Sequence, residues 1–205
     1  MTDLAQQDSP TLNAARRAIL LVVGLLLLPF ALASGLYWLE WRPGKLGNSG
    51  ELIQPPRALP ETGLQRVDGS PLNTTELREK WTLVLFNKGP CAAACQHDLQ
   101  QMRQVQVAQN KEMGRLRRLL VADDFSVLAS DTAIPELRQS YPDLLIATPA
   151  ASRQGEDWRM QLDSPDHRFY LIDPLGNIMM RYPEKPDMQG MRKDLERLLK
   201  YSWGG

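Results

Sequence analysis

From Ala18 to Leu39 the chain runs for 22 residues without a charged side chain. As a helix such a run is about 33 Å long, enough to cross the hydrocarbon core of a bilayer, where a helix satisfies its own backbone polar groups. Arg16 and Arg17 stand directly before the run, and Tyr37, Trp38 and Trp41 gather at its far end, where amphipathic rings favour the membrane interface. The arginines predict a cytoplasmic N-terminus in the cell inner membrane and a folded part on the far side, the periplasm of a Gram-negative host. Ala31-Leu32-Ala33 has the small residues of a leader cleavage site, but the apolar run continues six residues beyond it. An uncleaved anchor is therefore favoured over a removed leader. The expected organisation is a cytoplasmic tail over 1–17, a transmembrane anchor over 18–39, a Pro- and Gly-rich linker over 40–58 and one folded domain over 59–205.

Lys plus Arg and Asp plus Glu each number 24, and the first 39 residues take two of each sign, which leaves the remainder neutral as well. Such a balance gives no electrostatic footprint for nucleic acid or another polyanion.

The chemistry of the chain is concentrated in its two cysteines, Cys91-Ala-Ala-Ala-Cys95. Trp81 to Phe86 is a short run of strand formers, broken by Asn87-Lys88-Gly89-Pro90, and apolar residues then recur at Cys95, Leu99, Met102 and Val105 with helical spacing. Pro90 suits the first turn of that helix, and Cys91 extends the stripe to its N-terminus, with the two sulfurs one turn apart. The sulfurs are then placed to share a metal ion or a bond. Unpaired first-turn amides and Lys88 favour a thiolate at Cys91, the expected attacking thiol, with Cys95 as its deeper resolving partner. The competing reading is a pair of inert small hydrophobes in a helix core.

Elsewhere, Leu64–Val67 with Pro71-Leu72 reads as a hairpin, and Asn73-Thr-Thr-Glu-Leu-Arg as a capped short helix. Arg115–Ala122 and Leu144–Ala147 read as strands, Asp131–Tyr141 as a short amphipathic helix, and the polar stretch Pro149–Ser164 as a surface loop. Arg168–Ile172 and Ile178–Tyr182 form a hairpin around Asp173-Pro-Leu-Gly-Asn, and Asp187 caps a final helix with Met188, Met191, Leu195, Leu198 and Leu199 on one face. A cysteine helix after a strand, a crossover, a late hairpin and a closing helix suggest a thioredoxin-like three-layer α/β domain behind a single transmembrane helix. The chain contains two histidines. His97 lies about 200° around the helix from Cys95, facing solvent. His167 opens a strand that, in such a sheet, borders the N-terminus of the cysteine helix.

Val67-Asp-Gly-Ser-Pro-Leu72, the unit around Cys91 and Cys95, Asp131-Thr132 with Pro135, and Asp166-His167 followed by Tyr170-Leu-Ile-Asp-Pro-Leu-Gly176 occur in the order seen in the Sco/SenC family. The sequence from Leu59 onward resembles these membrane-anchored, thioredoxin-like copper chaperones of cytochrome c oxidase assembly. The resemblance implies copper ligands at Cys91, Cys95 and His167, a redox-active disulfide, and an oxidase subunit with a copper site as partner. It is divergent: Ala92 and Gln96 replace the prolines that usually follow the two cysteines, Asn87-Lys88-Gly89-Pro90 replaces a Gly-Tyr lead-in, and Arg168 replaces a small polar residue.

Copper(I) is a soft ion suited to two thiolates and an imidazole, in a site left open to a receiving protein. Oxidation of the pair would remove two donors at once. The same cysteines, used alone, make the chain a thiol-disulfide oxidoreductase that keeps subunit cysteines reduced. A third possibility is a non-catalytic scaffold tethered beside the oxidase. Zinc is disfavoured, because a structural site normally has four protein ligands and three are at hand. Met179, Met180, Met188 and Met191 lie at strand and helix spacings that suit a core. Asp123-Asp124 reads as the start of a solvated loop, and no Ser-His-Asp order, phosphate loop or metalloprotease motif is present.

Overall fold

The computed structural model describes residues 10–39, 47–123, 133–164 and 167–202. Two compact units divide the chain between Leu46 and Gly47. The first contains one helix, α1 (Pro10–Trp38), whose segment Ala14–Trp38 is long and apolar enough to cross a membrane. The helix starts ahead of the apolar run and takes in Arg16 and Arg17, so it includes part of the segment expected as a tail.

The second unit is built on an eight-stranded sheet in the order β1-β8-β7-β4-β5-β6-β2-β3. The strands are β1 (Glu51–Ala58), β2 (Leu64–Arg66), β3 (Pro71–Leu72), β4 (Trp81–Asn87), β5 (Leu116–Ala122), β6 (Leu144–Pro149), β7 (His167–Ile172) and β8 (Asn177–Pro183). Helices α2 (Thr74–Leu77), α3 (Ala93–Val107), α4 (Ala133–Ser140), α5 (Arg153–Leu162) and α6 (Met188–Tyr201) connect or close them. β5 runs parallel to β4 and to β6, whereas β7 runs antiparallel to β4. This is the thioredoxin-like arrangement.

All seven residues of β4 are buried, which identifies it as the middle of the sheet. Because side chains alternate across a strand, the same residues supply two cores. Leu83, Leu85, Leu120, Phe169 and Leu171 face one side, where Leu99 and Met102 of α3, Leu137 of α4 and Leu195 of α6 cover them. Val84, Phe86, Leu119, Val121, Tyr170 and Ile172 face the other, covered by Leu77 of α2 and by Trp158 and Leu162 of α5. The three layers are sheet, an α3/α4/α6 side and an α2/α5 side. Met180 and Met191 are core residues, and Met179 and Met188 pack half-buried against the same core, as their spacing predicts. The α3 side also encloses Arg118, 1% exposed, which sits 2.5 Å from Asp143 and over the Tyr141 ring.

Two expectations are corrected. Residues 51–58, read as linker, form edge strand β1 against β8; Pro55 and Pro56 are accommodated because the register slips between Leu52 and Arg57, where no ladder donor is required. The loop expected over Pro149–Ser164 contains α5, whose N-cap Ser152 accepts from the Gly155 amide at 3.1 Å. Its charged run hides a stripe of only Trp158 and Leu162, four residues apart and both fully buried. Gly155 is required there, since a Cβ would lie 2.0 Å from the Ala150 carbonyl oxygen. Tyr170 joins this helix to β7 by donating to the Leu162 carbonyl at 2.6 Å, and burial pushes the Tyr170 pKa up to about 12, so the donor persists across ordinary pH.

The hairpin β2/β3, the capped α2 with Glu76 accepting from the Asn73 amide, the β7/β8 hairpin and α6 capped by Asp187 all follow the sequence expectation. Trp158→Ala should cost about 3–5 kcal/mol of stability, the range for emptying a packed aromatic site. Equilibrium urea unfolding checks it; a loss below about 1 kcal/mol would mean that α5 is not held by this side chain.

Candidate thiol site

The polypeptide leaves β4 at Asn87 and turns at Gly89, whose φ of +89° suits glycine. Ala92 is still extended, with φ −77° and ψ −169°, so α3 begins only at Ala93. Cys91 therefore precedes the helix and is not on its first turn as the spacing implied. The chain folds back across the N-cap, with 4.9 Å between the Cα atoms, and Cys91 and Cys95 are joined by a disulfide. Cys95 is 2% exposed on the apolar face of α3, whereas Cys91 is half-buried at the surface. Ala92 offers no side-chain acceptor to the first-turn amides. Lys88 is paired with Asp163 at the end of α5, so its ammonium is committed there and not to Cys91.

Behind Cys95 lies a cavity of about 300 Å³ lined by Asn87, Lys88, Ser164, Arg168 and Glu184. Arg168 is the extra residue of a β-bulge: His167 pairs with Pro183 and Phe169 with Tyr182, leaving Arg168 without an opposite number. Strict alternation would send it to the α5 side with Tyr170. The bulge re-aims it toward α3, where its guanidinium lies 3.2 Å from the Asp98 carboxylate and donates to Asn87 Oδ1 at 2.8 Å. Asn87 in turn donates to the Gly89 carbonyl at 2.7 Å, which holds the cysteine loop. Asp98 is 9% exposed. Desolvation raises its pKa, opposed by the Arg168 charge, with smaller contributions from His97 and Glu184.

Neither Asp98 nor the function of Arg168 was evident from sequence. Asp98 lies three residues after Cys95, beside the buried stripe, and an acid in that position was the available signal. His97 is exposed, as expected. His167 opens β7, and since Phe169 pairs with Leu85 the start of β7 lies at the same end of the sheet as the cysteine loop. The His167 side chain, Asp124, Asp131, Thr132 and Asp166 lie outside the described residues. Asp123 is bound to Arg159 of α5 and is not a free site edge. Among the described residues no group of three His, Cys, Asp or Glu side chains is disposed to hold a metal ion. With the pair oxidised, the sulfurs are bonded to each other.

Replacing Arg168 with Met leaves Asp98 as a largely buried carboxylate without its cation. The expected loss at neutral pH is about 1–3 kcal/mol, below the figure for a fully buried pair because both groups retain some solvent contact. The Asp98 pKa, already raised, moves further up, so the penalty holds above it and fades as pH falls through it and the carboxyl takes a proton. Urea unfolding at pH 7 and near pH 4 tests the sign, and Asp98→Asn in the same chain should restore most of the loss. A penalty that is equal at both pH values would show that the pair is not the cause.

The chain matches the family model described as "Transmembrane-like, thioredoxin-like, C-terminal domain" over residues 81–202. No curated protein matches it. Among solved structures it is similar to yeast Sco1 with copper bound, at a TM-score of 0.57 and 16% identity, covering 72% of this chain and 91% of that one. It is also similar to BsSco, a member of the Sco family of cytochrome c oxidase assembly proteins with a disulfide switch, at 0.54 and 14%, covering 74% and 100%. A thiol:disulfide interchange protein from Bacteroides sp. aligns at 0.51 and 12%, covering 72% and 91%. At such identities the likeness is one of fold. The chain belongs to the family of transmembrane-like, thioredoxin-like C-terminal domains.

Proposed function

We propose that this chain is a membrane-anchored carrier of copper for a cytochrome c oxidase subunit, with Cys91, Cys95 and His167 as donors and the Cys91–Cys95 bond as the gate. The observation that carries the reading is that both cysteines of the chain lie joined at the open end of the central strand β4. The shared fold of yeast Sco1 with copper bound and of BsSco supports it.

Copper is the cargo here. Two sulfurs close enough to bond each other can, once reduced, approach a single soft ion, and thiolate donors favour copper(I). An imidazole from the start of β7 would complete a three-donor set. Reduction by two electrons opens the bond, and loss of the thiol protons prepares the sulfurs to bind; oxidation removes both donors together. Arg168, Asn87 and Asp98 fix the loop and helix that carry the sulfurs. In this reading α1 lies in the inner membrane and the domain faces the periplasm, a compartment that favours oxidation of a close pair.

Disulfide exchange with a partner's cysteines is the second reading. The unequal exposure of the two sulfurs favours it, since an incoming thiolate can approach Cys91 but not the enclosed Cys95. It requires no donor at 167.

Titration of the reduced full-length protein with copper(I) against a competing chelator should give one ion per chain and none for the oxidised protein. Cys91→Ser or Cys95→Ser should abolish binding, and His167→Ala should weaken it about ten-fold or more. Unchanged affinity in the histidine variant removes His167 from the donor set, and absence of binding in the reduced wild type removes the carrier reading while leaving exchange in place.

A further inference from the structure

The disulfide stands between two openings. Cys95 lines one of them with Arg168, whereas Cys91 lines a separate groove of about 440 Å³ between the start of α3 and helix α4. Leu137, which is buried, and the half-buried Tyr141 give the groove an apolar base, and Gln96 of α3 with Gln139 of α4 supplies amides along its walls. Glu136 is the only charged side chain among the described residues that line it, and it is exposed. Lys88 is paired with Asp163, whereas two cations flank the groove beyond Glu136: Arg103 donates to the carbonyl of Ser140, a lining residue, at 3.3 Å, and exposed Arg138 follows Glu136 by two residues on α4 without lining the groove.

We infer that this groove is the docking surface for a partner segment that presents a cysteine with a basic residue close beside it in sequence. The segment lies against Leu137 and Tyr141, its polar backbone meets Gln96 and Gln139, and its Lys or Arg faces Glu136. Charge complementarity of this kind selects partners and speeds their encounter. The inference deepens the exchange reading above and rests on it. Chemically, the partner thiolate attacks Cys91 Sγ, and a new sulfur–sulfur bond forms as the Cys91–Cys95 bond breaks. The electron pair leaves on Cys95 Sγ, which takes up a proton. The product is a mixed disulfide at Cys91 and a thiol at Cys95, and a second partner thiol can then displace Cys91, so that the partner is oxidised and the pair reduced. Run in reverse, the same steps reduce a partner disulfide.

The test measures how fast single-cysteine peptides open the disulfide of the full-length protein at low salt, with mass spectrometry of the mixed disulfide as readout. One peptide carries Lys two residues from its cysteine and another Glu at that place; uncharged dithiothreitol is the reference. Comparing the Lys-to-Glu rate ratio between variants cancels the effect of each charge on the peptide's own thiol. In the wild type the Lys peptide should be faster by about five-fold, the advantage shrinking with salt. Glu136→Gln should remove most of that advantage and Glu136→Lys reverse it, with the dithiothreitol rate unchanged. The same ratio in all three proteins overturns the docking assignment, as does reaction with dithiothreitol but with neither peptide. A disulfide that dithiothreitol cannot open removes the exchange reading itself, and the docking surface with it. Since Glu136 is exposed, both variants should fold, and unaltered thermal unfolding confirms this.

Discussion

Strand β4 is enclosed on every side: by β5 and β7 within the sheet and by a helical layer over each face. A strand in that position has no conformational latitude, because a slip of one residue would exchange Leu83 and Leu85 with Val84 and Phe86 between two differently shaped cores. The reactive part of the molecule is the loop that leaves this strand. The cysteines thus inherit the rigidity of the whole domain through Asn87, whose backbone ends the ladder with β5 and whose side chain ties both the loop and Arg168.

The site adds a polar brace to that apolar foundation. Asp98 and Arg168 come from α3 and β7, elements far apart in the chain, and meet because one extra residue at the start of β7 turns the arginine from the α5 side of the sheet to the α3 side. The Arg168 guanidinium, bridging Asp98 and Asn87, constrains the cysteine loop and the start of α3 from the β7 side.

What was legible in the sequence followed from strong periodicity. The stripe Cys95, Leu99, Met102 and Val105, the β7/β8 hairpin with its Asp-Pro-Leu-Gly turn, and α6 with its cap each repeat a signal several times. Where the signal was a single pair it was lost, as with Trp158 and Leu162 beneath the charges of α5. β1 was hidden for a different reason, since two prolines argue against a strand unless one knows it lies at an edge with a slipped register. Within the site, the cysteines and their partnership were readable. The late start of α3 depends on backbone angles at Ala92, and the turning of Arg168 on a bulge, neither of which local composition encodes.

The entrance to the domain is pinned to its exit. The Ser49 and Gly50 amides both donate to the buried carboxylate of Asp194 at 2.9 Å, the Arg197 guanidinium donates to the Gly47 carbonyl at 3.0 Å, and at Gly190 a Cβ would press to 1.9 Å from the Ser49 hydroxyl. From this seam β1 continues into the sheet through β8, and α6 continues into the core that it shares with α3. The first and last segments of the domain thus share a single seam, whose loosening would threaten both at once.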